Sequence, residues 1–233
     1  MKLKHLLLSS LLFLPTSISA DEPKPNIINH QDTVQLSRQH KQSRSATVKI
    51  ITPHGHGSGT YVKIGGNIFG GGSFGILTAA HVVPSGELFV VESGAQQTAA
   101  RLLWKDKDAD IAFLAVGEIK GKKPLKVVAD QGIDTGDEIV YSGYPSTHEL
   151  LTFSCNVASP NQNGKLMVQG YAWFGSSGSG FVNKKGEVFA VLSAVSVESF
   201  YGHPQVLETL VIGAIVEDKH ISEIKEALDK ISE

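Results

Sequence analysis

The chain has 233 residues, of which 41% are hydrophobic and 19% are charged, and its formal net charge is −2. This is ordinary globular composition, enough for one large domain or two small ones that share a cleft. The small negative charge and the lack of a basic run argue against a nucleic-acid partner. The 24 glycines, together with few aromatic residues, favour a turn-rich β protein.

The first residues have the pattern of an export signal. Two lysines precede a mostly apolar stretch over residues 5–14, which is followed by small residues. Because this stretch is short for a bilayer span, the pattern favours a signal peptide over 1–20, cleaved after Ser19 or Ala20, rather than an uncleaved anchor. Because no cysteine lies near the cleavage site, the sequence argues against a lipoprotein. Removing two of the 21 basic residues leaves 19 against 23 acidic ones, a charge of −4. We therefore expect a periplasmic or secreted protein with no membrane anchor after signal removal.

Residues 21–44 are polar and include two prolines, which predicts a partly disordered tail. Short β-like runs separated by turn residues follow it. The predicted strands are Ala46–Ile51, Gly59–Ile64, Phe74–Thr78, Leu88–Glu92, Thr98–Trp104, Ile111–Val116, Leu125–Ala129, Glu138–Gly143, Leu150–Val157, Lys165–Gln169, Gly180–Val182 with Val188–Ser196, and Thr209–Val216. The polar stretch 117–124 divides them into two groups of about six. Since closure removes exposed strand edges, we predict two β-barrels, over 45–124 and 125–216.

A helical pattern appears at the end of the chain, in residues 217–233. Apolar residues recur there at spacings of three and four, which predicts one amphipathic helix with Ile221, Ile224, Leu228 and Ile231 on one face. The glycine-rich segment 65–75 contains six glycines but precedes no predicted helix, so a hairpin loop is favoured over a phosphate-binding loop.

Cys155 is the one cysteine of the chain, so no internal disulfide can form. It lies in an apolar run, which favours a buried small side chain over a redox or nucleophilic role. An exported protein of this kind must draw its stability from its hydrophobic core.

Three short segments carry chemistry. They are Leu77-Thr-Ala-Ala-His-Val-Val83, Asp110-Ile-Ala-Phe-Leu114 and Gly175-Ser-Ser-Gly-Ser-Gly180, and they supply a histidine, an aspartate and a serine. A serine hydroxyl needs a base to take its proton, and an imidazole base needs a partner that fixes its tautomer. Backbone N–H groups must meet the charge that develops on the attacked carbonyl oxygen. The glycines around Ser177 favour such a tight turn, with Gly175 and Ser177 as the expected donors.

These segments resemble the signatures of chymotrypsin-like (trypsin-like) serine proteases, in that family's order. The stretches Gly57-Ser-Gly-Thr60, Gly143-Tyr-Pro145 and Ala190-Val-Leu-Ser193 resemble further segments of the family. The gaps of 29 and 67 residues between the three are short, as in HtrA-type and glutamyl-endopeptidase-type bacterial members. The resemblance covers roughly 46–216 and implies an all-β fold of two six-stranded antiparallel barrels with the site between them. It also implies Ser177 as nucleophile, His81 as general base and acid, and Asp110 as orienting carboxylate.

Neighbouring residues compete for these roles. Asp106 and Asp108 are alternatives to Asp110, which is favoured because alternating apolar residues follow it directly. Ser176 and Ser179 are alternatives to Ser177, which alone has the family's Gly-x-Ser-Gly frame.

A metal site is the other possibility that the sequence raises. His54 and His56 flank Gly55, but no further ligand spacing accompanies them, so a turn is favoured over a metal site. We expect no metal and no cofactor.

The sequence departs from the family in several ways. Ser176 stands where zymogen-activated members carry an aspartate, and no Ile-Val-Gly-Gly-like start follows the tail, so the active-site loop must be ordered by another route. No PDZ-sized segment follows the barrels.

The specificity pocket is also unusual. The resemblance implies that Tyr171 lies at the base of this pocket and that Ala172, Ser193, Ala194 and Val195 line it. No acidic residue stands there to attract Lys or Arg, so small or apolar side chains are expected at the cleavage site.

The sequence thus predicts an exported serine endopeptidase that acts on proteins or peptides. A catalytically inactive binding protein that keeps the fold is the main alternative, although the intact trio argues against it. An esterase or lipase on an α/β-hydrolase fold would place its serine before the aspartate and histidine, unlike this chain.

Overall fold

The computed structural model describes residues 36–53, 55–64, 73–84, 88–129 and 132–231. The expected signal peptide, most of the polar tail, His54 and most of the glycine-rich segment lie outside the described residues. The elements are α1 Arg38–Ala46, β1 Thr47–Thr52, β2 Gly55–Ile64, β3 Ser73–Thr78, a 3₁₀ turn Ala80–Val82, β4 Leu88–Ser93, β5 Gln96–Asp106, β6 Ile111–Ala115, β7 Leu125–Lys126, β8 Glu138–Gly143, β9 Leu151–Gln162, β10 Lys165–Gln169, β11 Gly180–Val182, β12 Val188–Phe200, β13 His203–Ile215 and α2 Asp218–Lys230.

Within the described residues, the first six strands close into a barrel in the order β1-β4-β5-β6-β3-β2, with β2 pairing back to β1. Its interior is apolar, and Ile50, Ile76 and Phe113 are fully buried in it. Gly75 of β3 is required by this packing, because a Cβ atom there would lie 2.0 Å from the ring of Phe113. The alternation of inward apolar residues along short strands is what made this barrel predictable from the sequence.

The second barrel closes in the order β10-β13-β12-β11-β8-β9 and buries a separate apolar cluster that includes Tyr141, Phe181 and Phe189. The prediction of two six-stranded antiparallel barrels followed by a helix is therefore confirmed for the described part of the chain. Two details differ from it. The segments 180–182 and 188–196 belong to two separate strands, β11 and β12, and the β12–β13 hairpin extends beyond its predicted ends to Phe200 and His203.

Strand β7 corrects one predicted assignment. The segment Leu125–Ala129 was expected to open the second barrel, but β7 spans two residues and pairs in parallel with β2 of the first. Val127 then bridges to Val188 of β12. The chain passes from the first barrel to the second here, so the apolar residues of this segment pack against both barrels.

Helix α1 begins within the predicted polar tail, 21–44, and ends two residues beyond it at Ala46, where the first strand was predicted to start. Ser37 caps it by accepting a hydrogen bond from the His40 N–H. The helix is anchored through polar contacts, since Gln39 donates to the Val182 carbonyl at 2.7 Å and Ser43 donates to the Ser142 hydroxyl at 2.8 Å. An apolar periodicity could not reveal a helix whose buried face is mostly polar.

Helix α2 places Ile224 and Leu228 in the core, with Ile221 packed against it, as predicted. Ile231 is the exception, because it follows the last helical turn and is exposed. None of the helices in the described residues has the length and apolar character to cross a membrane.

The N-terminus of α2 is held by a buried histidine. The Glu217 N–H donates to Nδ1 of His220 at 3.0 Å, so the neutral ring carries its proton on Nε2, which lies 3.6 Å from Oδ2 of Asp106. Burial lowers the pKa of His220 below its ordinary value, and the positive charge of Lys219 acts in the same direction. The negative charges of Glu217, Asp106 and Glu223 oppose these effects without cancelling them.

Because the folded state favours neutral His220, stability should depend on this residue at mildly acidic pH. Above its ordinary pKa of 6.5 the ring is neutral in both states and the effect is constant. As the pH falls below that value, the unfolded chain takes up a proton first, so the free energy of unfolding decreases until the folded pKa is passed. Urea unfolding at pH 7.5 and 5.0 should show a larger decrease for the wild type than for H220Q, whose amide oxygen can still accept from Glu217 but does not titrate. Equal decreases would contradict this prediction.

Candidate active site

His81 lies in the 3₁₀ turn that follows β3, at one end of the first barrel. Ala79 and Ala80 before it are buried, while about half of the His81 side chain is exposed. Thr78 fixes the end of the strand, since its hydroxyl donates to the Ser58 carbonyl at 2.8 Å. The small residues before His81 thus anchor the backbone in the core and leave the imidazole free to project from it.

Asp110 lies immediately before β6 and has a backbone φ of +62°, in the left-handed region that Asp tolerates better than most residues. Its carboxylate accepts hydrogen bonds from His81 Nδ1 at 2.9 and 3.1 Å and from the His81 N–H at 3.0 Å. The Ser193 hydroxyl donates to it at 2.5 Å. Since a carboxylate can only accept, His81 Nδ1 carries the proton and Nε2 keeps its lone pair.

The carboxyl of Asp110 stays ionised in this setting. Burial alone would raise its pKa, but the hydrogen bonds from the His81 ring, the Ser193 hydroxyl and the His81 N–H outweigh burial and hold the pKa below its ordinary value. An anion facing Nδ1 stabilises the imidazolium that would form if Nε2 took up a proton.

Ser177 lies in a turn between Gly175 and Gly178, both with positive φ. Gly178 is required there, because a Cβ atom would lie 2.0 Å from the Ser58 carbonyl oxygen. Strand β2 holds the turn through Ser58, whose N–H donates to the Ser177 carbonyl at 2.8 Å and whose hydroxyl donates to the Gly175 carbonyl at 2.7 Å.

The other end of this turn is joined to β12. The Gly178 N–H donates to the Leu192 carbonyl, and the Leu192 N–H donates to the Ser179 carbonyl, both at 2.8 Å. Ser176, which stands where the family's zymogens carry an aspartate, is fully buried, and its N–H donates to the Trp173 carbonyl at 2.9 Å. These bonds are the route that orders the loop.

The peptide between Phe174 and Gly175 has a defined orientation. The Phe174 carbonyl accepts a hydrogen bond of 2.6 Å from the Ser146 N–H. In a trans peptide the C=O and N–H point in opposite directions, so the Gly175 N–H faces away from Ser146. Among the hydrogen bonds of the described residues, none uses the N–H of Gly175 or Ser177. With respect to the described residues, both N–H groups are therefore available as donors to an oxyanion formed at Ser177.

His81 and Ser177 line one open cavity between the barrels, together with His56, Phe89 and Phe174. Within the described residues, no hydrogen bond joins the Ser177 hydroxyl to the His81 ring. Such bonds are often long in a protease without substrate and shorten when one binds.

The residues predicted for the specificity pocket are Tyr171, Ala172, Ser193, Ala194 and Val195. None of them is among the residues that line this cavity, although Ser193 bonds to Asp110, the partner of His81. Ala172 is fully buried, and Val195 packs against the core of the second barrel. Tyr171 is 40% exposed, and its ring lies beside that of Phe153. The Tyr171 carbonyl accepts a short hydrogen bond from the Tyr141 hydroxyl, whose pKa burial raises.

The competing residues have other contacts. Asp106 accepts from the N–H groups of Asp108 and Ala109 and so closes the turn before Asp110, whereas Asp108 is exposed. Ser179 is fully buried. Cys155 is buried and free as predicted, and burial raises the pKa of its thiol to about 12.

Sequence reasoning missed two residues at this site, Ser58 and His56. His56 was expected in a turn, but it lies in β2 and lines the cavity. The available signal was the His-Gly-His run of residues 54–56, directly before the segment Gly57-Ser-Gly-Thr60 that resembles the family. In the part of the chain that the structure describes, no group of three or more His, Cys, Asp or Glu side chains could hold a metal ion.

Comparison with known proteins places these features in a family. The sequence matches the model of the trypsin-like peptidase domain over residues 57–191. The fold is similar to Rv3671c from M. tuberculosis H37Rv, solved as an inactive serine-to-alanine mutant, with a TM-score of 0.60 and 20% identity over 93% of this chain and 97% of that one. It is also similar to a human pathogenic astrovirus serine protease, with a TM-score of 0.57 and 20% identity over 76% and 93%. No curated protein matches the sequence.

Proposed function

Because the chain belongs to the family of trypsin-like peptidase domains, we propose that it is a serine endopeptidase that cleaves proteins or peptides through an acyl-enzyme on Ser177. The observation that carries this proposal is the hydrogen-bonded series from Ser193 through Asp110 to His81, which lines one cavity with Ser177. The free N–H groups of Gly175 and Ser177 complete the requirements for acyl transfer.

In the proposed mechanism, the Ser177 oxygen attacks the carbonyl carbon of the scissile bond while its proton passes to His81 Nε2. The Gly175 and Ser177 N–H groups stabilise the resulting oxyanion. Collapse of the intermediate breaks the C–N bond, and His81 gives its proton to the leaving amine. A water molecule then attacks the ester, its proton passes to His81, and the Ser177 oxygen leaves and regains that proton. Every step uses only side chains and backbone N–H groups of this protein, the substrate and water, so the proposed mechanism requires no cofactor.

Reaction with a fluorophosphonate probe tests the proposal directly. The folded protein should form one covalent adduct, which peptide mass spectrometry maps to Ser177. S177A and heat-denatured wild-type protein should not react, because the reaction needs an activated hydroxyl in an assembled site. Absence of labelling in the folded protein would favour the inactive binding protein instead.

We further propose that the protein is exported by the signal peptide of residues 1–20.

A preference for small or apolar residues before the scissile bond is the expected specificity. The resemblance places Tyr171 at the base of the pocket, and no carboxylate accompanies it to pair with a basic side chain. Burying an unpaired ammonium or guanidinium group is costly, so substrates with Ala or Val at this position should exceed those with Lys or Arg by about 100-fold in kcat/KM. Fluorogenic peptides that differ only at this residue measure the ratio, and a preference for Lys or Arg would contradict the assignment.

A further inference from the structure

His56 lies against the backbone of the turn that carries Ser177. Its Nε2 is 2.8 Å from the Tyr144 carbonyl oxygen, and because a carbonyl can only accept, this nitrogen carries a proton and donates. A Cβ atom added to Gly175 would lie 2.6 Å from His56 Nε2 and 2.4 Å from the Tyr144 oxygen. The donor and acceptor of this hydrogen bond therefore both pack directly on the Cα atom of Gly175.

The Tyr144 carbonyl belongs to the segment Tyr144-Pro145-Ser146, which leaves β8. Ser146 has a φ of +54°, a conformation that costs energy in a residue other than glycine and that its surroundings must maintain. The same segment supplies the Ser146 N–H that holds the Phe174 carbonyl at 2.6 Å. Release of this carbonyl would free the Phe174–Gly175 peptide to rotate and would turn the Gly175 N–H away from the oxyanion position.

The geometry points to His56 as a positioning residue: through the Tyr144 carbonyl and the Ser146 N–H, it holds the Gly175 N–H in place to stabilise the oxyanion. This inference rests on the proposed peptidase function and adds to it a residue outside the trio and outside the two donors. The role requires a hydrogen-bond donor near the position of Nε2, and it requires neither proton transfer nor contact with substrate.

Two variants of His56 separate this role from others. H56L has a side chain of similar size but no donor, and H56Q keeps an N–H donor on a side chain that does not titrate. Loss of one oxyanion donor costs about 100-fold to 1,000-fold in kcat, and a group that only positions the donor should cost less. We expect H56L to lower kcat about 10-fold to 100-fold with KM within about threefold, and H56Q to keep kcat within about threefold of the wild type.

The assay follows a fluorogenic peptide with the full-length protein, and S177A serves as the blank. Melting temperatures establish that each variant is folded, and H56M replaces H56L if the latter is not. If H56L keeps the wild-type kcat, or if its loss is confined to KM, the positioning role is overturned while the peptidase proposal stands. An H56Q variant as impaired as H56L also overturns it, because the imidazole would then act as more than a donor. Absence of Ser177-dependent turnover in the wild type instead overturns the peptidase proposal and this inference with it.

Discussion

Replacement of Ser177 by alanine should lower kcat about a million-fold, to the level that binding and the oxyanion donors alone provide. The substitution removes one oxygen atom and leaves the backbone N–H donors of Gly175 and Ser177 in place. Substrate should therefore still bind, with KM or an inhibitor constant within a few-fold of the wild type. Cleavage of fluorescently labelled casein gives the activity, and thermal melting shows that the fold is retained.

The matched control is S93A, which removes a serine hydroxyl at the end of β4 from a residue that is not among those lining the cavity. It should keep full activity. Casein cleavage by S177A at the wild-type rate would exclude Ser177 as the nucleophile and with it the proposed mechanism.

Asp110→Asn should lower kcat about 10,000-fold at neutral pH while the structure stays almost unchanged. The amide is the same size as the carboxylate, but one of its two ends donates. If the NH₂ group faces His81, Nδ1 must accept, and the ring proton moves to Nε2, where it blocks uptake of the Ser177 proton. The charge that stabilises the imidazolium is also lost.

D108N provides the comparison for this variant. It removes an equal charge from an exposed residue two positions away, and kcat should stay within about twofold. Peptide hydrolysis measured from pH 6 to 9 distinguishes the two variants. Full activity of D110N would show that the carboxylate bonded to His81 has no part in the reaction.

The barrels were predictable because their strands alternate apolar and polar residues and end in turn residues. Phe113 and Ile76 could be placed inward from this pattern alone. Helix α1 was not, since Gln39 and Ser43 bury polar groups that pair with partners about 100 or more residues away in sequence. Strand β7 was given to the wrong barrel because a two-residue parallel pairing leaves no local pattern.

At the site, the sequence identified His81, Asp110 and Ser177 as candidates but did not identify the residues that hold them in position. The contacts of Ser58 with Gly175 and Ser177 join segments more than 100 residues apart. His56 and Tyr144 are also distant in sequence, 88 residues apart. Such pairings depend on how two barrels meet, which no local pattern encodes. The specificity of the pocket and the branch of the family stay predictions.

The two hydrogen bonds from Ser58 to the turn that carries Ser177 bear on when this turn takes its final conformation. In zymogens the corresponding loop waits for a newly cut chain end, so a proteolytic event sets the moment of activation. Here Ser58 of the first barrel bonds to Gly175 and Ser177 of the second, so these contacts form as the barrels come together and involve no new chain end. For the proposed peptidase, folding of the two barrels would then complete this turn, and control over proteolysis would rest on where the chain folds and which substrates it meets.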